Sequence, residues 1–177
     1  VDIVHEGFDL AIRVGPLADS TLTARRLGEL RYGLYAAPSY LARRTAPAGP
    51  EGLASHETLA FSSGGHQVTW ALLRGQQVER VTVQPRLKAN NVFAVCDAEV
   101  AGLGIAQLPV LVADAAVRTG QLHGVLMDWS LPTVPVHAVF ASARYLTPKV
   151  RAFIDLSVEA MRTSRTKSTT IDRTPDR

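Results

Sequence analysis

Asn90-Asn91-Val92-Phe93-Ala94-Val95-Cys96-Asp97-Ala98-Glu99-Val100-Ala101-Gly102-Leu103-Gly104-Ile105-Ala106-Gln107-Leu108-Pro109 changes its apolar period in mid-run. Val92, Phe93, Val95, Cys96, Val100 and Leu103 recur at three- and four-residue steps, which places them on one side of a helix. Asn is a favoured N-cap, and Gly102 or Gly104 can end the helix. Ile105–Leu108 then reads as a short apolar strand. Pro109 can open a second helix, Val110–Val117, which Gly120 closes, and Leu122–Met127 returns to a strand pattern. Helix and strand alternate here, and that alternation implies an α/β fold.

The same grammar extends outward. Upstream, Thr58–Phe61, Val68–Leu73 and Val78–Val83, continuing through Leu87, read as strands, with the small patch Ser62-Ser63-Gly64-Gly65 between the first two. Val1–Gly7 suggests a helix end with Gly7 as its C-cap, and Phe8–Val14 a buried strand entering a turn at Gly15-Pro16. Residues 22–36 carry strand-like material around Leu27, Leu30, Tyr32, Leu34 and Tyr35. Pro38 stops that run, Ser39 can cap a short helix Tyr40–Arg43, and a further short helix is expected near Glu51–Ser55. Downstream, Val136–Phe140 is strand-like. Pro148 opens a final helix with Val150, Phe153, Ile154, Val158 and Met161, and Leu156 in part, on its apolar face. The pattern suggests two lobes, with the chain crossing near 33–37 and returning near 131–135. The expected division is 1–33 with 133–164, then 34–132, and a disordered basic tail over 165–177.

Composition narrows the function. The net charge is +3, but Arg162, Arg165, Lys167, Arg173 and Arg177 against Asp172 and Asp176 account for all of it. The remaining body balances 14 bases with 14 acids, so it lacks the basic excess of a nucleic-acid-binding domain. The single cysteine, Cys96, precludes an internal disulfide and reads as a small buried apolar residue in a cytoplasmic setting. No apolar run reaches membrane-spanning length, and no secretory signal is read, so no membrane partner is expected. The chain does not begin with Met, and a start inside a longer protein is expected.

Against this background several segments resemble one family. Glu6-Gly7-Phe8-Asp9-Leu10-Ala11-Ile12-Arg13-Val14-Gly15 is similar to a segment of LysR-type effector domains. Ala37-Pro38-Ser39-Tyr40-Leu41-Ala42, Lys88-Ala89-Asn90-Asn91, Ala101–Ala106 with Leu108-Pro109, Pro135–Phe140 and Leu146–Asp155 follow in the family's order, covering roughly residues 1–160. The resemblance implies a type II periplasmic-binding-protein-like α/β domain with two hinged lobes, the first incomplete here. It also implies a small-molecule effector, self-association as a dimer or tetramer, and DNA contact only through a winged helix-turn-helix outside this chain.

Candidate effector residues follow from strand ends, because open α/β sheets bind ligands beyond the carboxyl ends of their strands. Arg13, beside the turn at Gly15, can pair bidentately with a carboxylate effector or equally form an inter-lobe or structural ion pair. Ser62, Ser63 and Gly64 offer hydroxyls and close backbone to a ligand, or form a plain flexible loop. Asn90 and Asn91 stand at a helix start, whose amides and dipole favour an anion, although an N-cap explains an Asn equally well. Phe93 can wall a pocket or fill the core, and Trp70 reads as packing. Two alternatives remain beside the sensor reading. A periplasmic solute-binding module would share the fold. An enzyme would need a reactive motif, and no G-x-S-x-G, H-E-x-x-H, P-loop or C-x-x-C is present. His5, His56, His66, His123 and His137 lack metal-ligand spacing, although His66 adjoins the Ser-Gly patch. No cofactor is expected.

Overall fold

A computed structural model describes residues 8–17, 22–62, 67–141 and 147–168. They form two compact units, one from residues up to Leu30 together with those from Thr133 on, the other Arg31–Pro132. Val1–Gly7 and residues 169–177 lie outside the described residues.

The second unit is a three-layer arrangement whose order follows from side-chain alternation. Its five-stranded sheet runs β7-β4-β8-β3-β9, where β3 is Tyr32–Ala36, β4 Thr58–Phe61, β7 Leu87–Ala89, β8 Ile105–Pro109 and β9 His123–Val125. β4 is parallel to β7 and β8, while β3 is antiparallel to β8 and β9. Successive residues of a strand point to opposite faces. Leu34, Ala36 and Ile105 accordingly enter one core with Leu53, Trp70, Leu72 and Trp129. Tyr35, Ala106 and Leu108 enter the other, with Leu59, Val95, Ala113 and Leu122. The first core is covered by the hairpin of β5 (Val68–Arg74) and β6 (Gln77–Val83). The second is covered by helices α2 (Val92–Val100) and α3 (Val110–Arg118). Trp70, 3% exposed, is core packing.

Proline decides several boundaries. The strand expected to continue through Leu87 stops at Val83 instead, and Pro85 separates it from β7. Helix α1 (Pro38–Leu41) starts at the proline itself, with Ala37 as its N-cap and no side-chain cap. Ser39 therefore lies inside the helix and does not cap it; Pro38 occupies N1, where its missing N–H costs nothing. A 3-10 turn occupies Pro50–Ser55. Gly102, at φ +78, takes the left-handed conformation that ends α2.

The first unit holds a three-stranded antiparallel sheet, β1-β10-β2, from β1 (Ala11–Val14), β10 (Val134–Phe140) and β2 (Thr23–Leu30). Helix α4 (Pro148–Ser168) places Val150 and Ile154 against Leu27, Val136, Ala138 and Phe140. Two expectations fail here. Phe8–Val14 is not a buried strand: Phe8 is 56% and Val14 54% exposed, because β1 is an edge strand paired only with β10 among the described residues. Residues 165–168, assigned to the basic tail, continue α4. On that helix Phe153 and Leu156 face solvent, so the apolar face is narrower than the sequence suggested. No helix among the described residues is long and apolar enough to cross a membrane.

Candidate functional site

Parallel strands leave their carboxyl ends at one edge of a sheet. In the second unit β4 ends at Phe61 directly opposite Ala89, the last residue of β7. Ser62 follows one strand and Asn90-Asn91 the other, and the Ser62 N–H donates to the Ala89 carbonyl at 3.0 Å. Ser62, Asn90 and Asn91 are thereby brought to the same edge, where α2 begins. Ser63, Gly64 and His66 lie outside the described residues.

The two asparagines play different parts. Asn91 is the N-cap of α2: its Oδ1 accepts from the Phe93 N–H at 2.9 Å and the Ala94 N–H at 3.4 Å. Two of the orphan amides of the first turn are thus already satisfied. The Asn90 side-chain amide stays exposed at this edge. Phe93 does not fill the core: at 63% exposure it stands in solvent in the first turn of the helix. Phe61, 58% exposed at the end of β4, presents a second phenyl at this edge. The sequence reading missed it. Its signal was positional, as the last strand residue before a Ser-Gly patch.

Arg13 lies exposed on β1, in register with His137 of β10. Gly15 is buried in a turn at φ +112, and its N–H donates to the Pro135 carbonyl at 2.9 Å. That donor is therefore spent on the fold, and Gly15 shapes the turn after Arg13.

The interior under the edge holds an unexpected acid. Glu99, the penultimate residue of α2, is fully buried. Its Oε1 accepts the Ala106 N–H at 2.7 Å, and its Oε2 has no hydrogen-bond partner among the described residues. Burial pushes its pKa up to about 9, so the carboxyl is neutral at pH 7. The Cys96 thiol on the same helix is buried and also raised, first by burial and then by Glu99; it has none of the character of an activated nucleophile. Among the described residues no group of three or more His, Cys, Asp or Glu side chains can hold a metal ion. Among the described residues the carboxyl edge gathers the hydrogen-bonding groups of Ser62, Asn90 and Asn91 with the phenyls of Phe61 and Phe93, and exposed Lys88 lies one residue before the end of β7.

Comparison with known proteins names the class. A family model described as the LysR substrate binding domain matches residues 1–162. An HTH-type transcriptional regulator of Xanthomonas campestris pv. campestris is 38% identical over 162 residues, spanning 89% of this chain and 47% of that protein. The regulatory domain of CrgA from Neisseria meningitidis, a LysR-type transcriptional regulator, is similar in structure with a TM-score of 0.78 at 31% identity. That match covers 89% of this chain and 78% of that chain. Full-length AphB, a Vibrio cholerae virulence activator, gives a TM-score of 0.74 at 30% identity, covering 87% of this chain and 52% of that one. The chain belongs to the LysR substrate-binding-domain family. Its fold is the type II periplasmic-binding-protein-like fold of LysR regulatory domains, and it is an effector-binding regulatory domain of a family that is not an enzyme family. The chain spans about half the length of the curated relatives it matches.

Proposed function

We propose that this domain senses a small anionic metabolite and, within a cytoplasmic, oligomeric regulator, biases DNA binding by a winged helix-turn-helix outside this chain. The observation that carries the reading is the meeting of Ser62, Asn90 and the start of α2 at the carboxyl ends of two parallel strands, beside exposed Phe61 and Phe93. Backbone amides and the helix dipole favour a negative charge there, and the phenyl rings favour an apolar body on the same molecule. In this proposal Ser62, Ser63, Gly64, Asn90 and Phe93 contact the effector, and Asn91 fixes the helix start. Arg13 pairs with a carboxylate from the turn that Gly15 shapes. The switch is a population shift, and its reach is limited by the difference in effector affinity between two states.

The test is a thermal-shift screen of carboxylate metabolites on the full-length regulator, followed by calorimetry. A hit should lose at least tenfold in affinity with Asn90→Asp, which adds a like charge at the helix start, and with Phe93→Ala. Unchanged affinity in both variants would sink this placement. Unchanged affinity in Arg13→Ala would remove the guanidinium from it.

A further inference from the structure

The opposite edge of the same sheet carries a different chemistry. Glu57 immediately precedes β4, Arg86 immediately precedes β7, and Gly102 and Leu103 precede β8, so these residues gather where the parallel strands begin. With Tyr40, Arg43 and Arg44, at and just past the end of α1, they line a hollow of about 350 Å³. Its charge does not balance. Three guanidinium groups face one carboxylate, and that carboxylate is already committed: Glu57 Oε1 lies 3.4 Å from Arg44, and Oε2 accepts the Tyr40 hydroxyl at 2.9 Å.

The other two arginines lack an anionic partner among the described residues. Arg43 donates to the Ser39 carbonyl at 2.9 Å and the Gly102 carbonyl at 2.8 Å, which orients its planar fork and leaves three of its five N–H donors. Arg86 is exposed, its side chain takes no ion-pair or hydrogen-bond partner among the described residues, and its backbone N–H is tied to the Thr58 carbonyl at 2.8 Å. The floor beneath is rigid. Tyr40 is buried, and its single proton goes to Glu57, so its oxygen accepts the Glu57 N–H at 3.1 Å and the Nδ1–H of His56 at 2.9 Å. A fixed floor, one oriented guanidinium and one uncommitted guanidinium make a preorganised receptor for two negative charges on a compact group.

We propose that this hollow is a binding site for a compact dianion, a phosphate group or a small dicarboxylate, held by Arg43 and Arg86 with Arg44 beside them. It is separate from the carboxyl edge proposed for the effector, and the two can be tested apart.

The experiment is calorimetric titration of the 177-residue chain with inorganic phosphate, and separately with succinate, in low-salt HEPES. Saturable binding that weakens at least tenfold in Arg86→Gln is expected, with Arg118→Gln, outside the hollow, unchanged. Arg43→Gln should weaken it similarly, and because that residue also holds Gly102, circular dichroism confirms that the variant remains folded. Tighter binding of phosphate assigns a phosphate group, tighter binding of succinate a dicarboxylate, and either supports the site. No saturable binding of either anion, or binding that survives Arg86→Gln and is lost in Asn90→Asp, overturns it.

Discussion

The two edges of the second unit's sheet present opposite solutions to holding an anion. At the carboxyl edge the groups are amides, a hydroxyl and two exposed phenyls, with the helix start partly satisfied by Asn91. At the amino edge the groups are guanidinium ions over a buried Tyr40–Glu57–His56 network. Neutral dipoles select by shape and hydrogen-bond geometry, whereas formal charges attract broadly and are screened by salt. The difference teaches that, within one sheet, strand polarity alone sorts a geometry-reading surface from a charge-reading one. It also separates two kinds of mutational sensitivity, since the amino edge is woven into the core and the carboxyl edge is not.

The largest expected effect comes from Glu99, on the helix that joins the two edges. Its folded pKa of about 9 lies above the ordinary carboxylate value of 4.5, so its contribution to stability is fully present below about pH 4.5 and is lost as pH rises towards 9. The loss is at most about 1.4 kcal/mol per pH unit in that window. Glu99→Gln should remove this component, leaving urea stability flatter between pH 5 and 9 than the parent; an unchanged slope would contradict the neutral buried acid. Next comes Tyr40→Phe, which strips three hydrogen bonds from the amino edge and should cost about 1–3 kcal/mol in urea denaturation. A neutral outcome would mean that the floor of the hollow is not held as described. Asn91→Ala removes the α2 cap and should cost about 1 kcal/mol, while Asn91→Asp should preserve stability and weaken any anion at that edge. Smallest of all, Phe93→Ala should change stability by less than about 0.5 kcal/mol, because the ring is exposed. A larger loss would merge the two edges into one structural class.

What the sequence revealed follows the strength of its local signals. The alternation from Asn90 to Gly120 specified two helices and a strand closely, because caps, glycines and apolar spacing agree there. Thr58–Phe61 was read to the residue. Signals that depend on neighbours left no such trace: Phe8–Val14 has the apolar content of an interior strand but occupies an edge, and the choice left open for Phe93 between pocket wall and core turns on its exposure. The pairing of β4 with β7, which brings Ser62 to Asn90, is a long-range fact with no local trace. Glu99 follows Val95 and Cys96 by four and three residues, so helical spacing puts it on their buried face, where only its charge argues for solvent. The arginine hollow was invisible because its members come from four separate segments, each an ordinary surface position by itself.

The protonated Glu99 also leaves a thermal record. At neutral pH the unfolded chain ionises this carboxyl, so each molecule that melts releases a hydrogen ion into the surrounding buffer. Scanning calorimetry in Tris, whose protonation is strongly exothermic, and in phosphate, whose protonation is nearly heatless, should therefore report different enthalpies for the same transition.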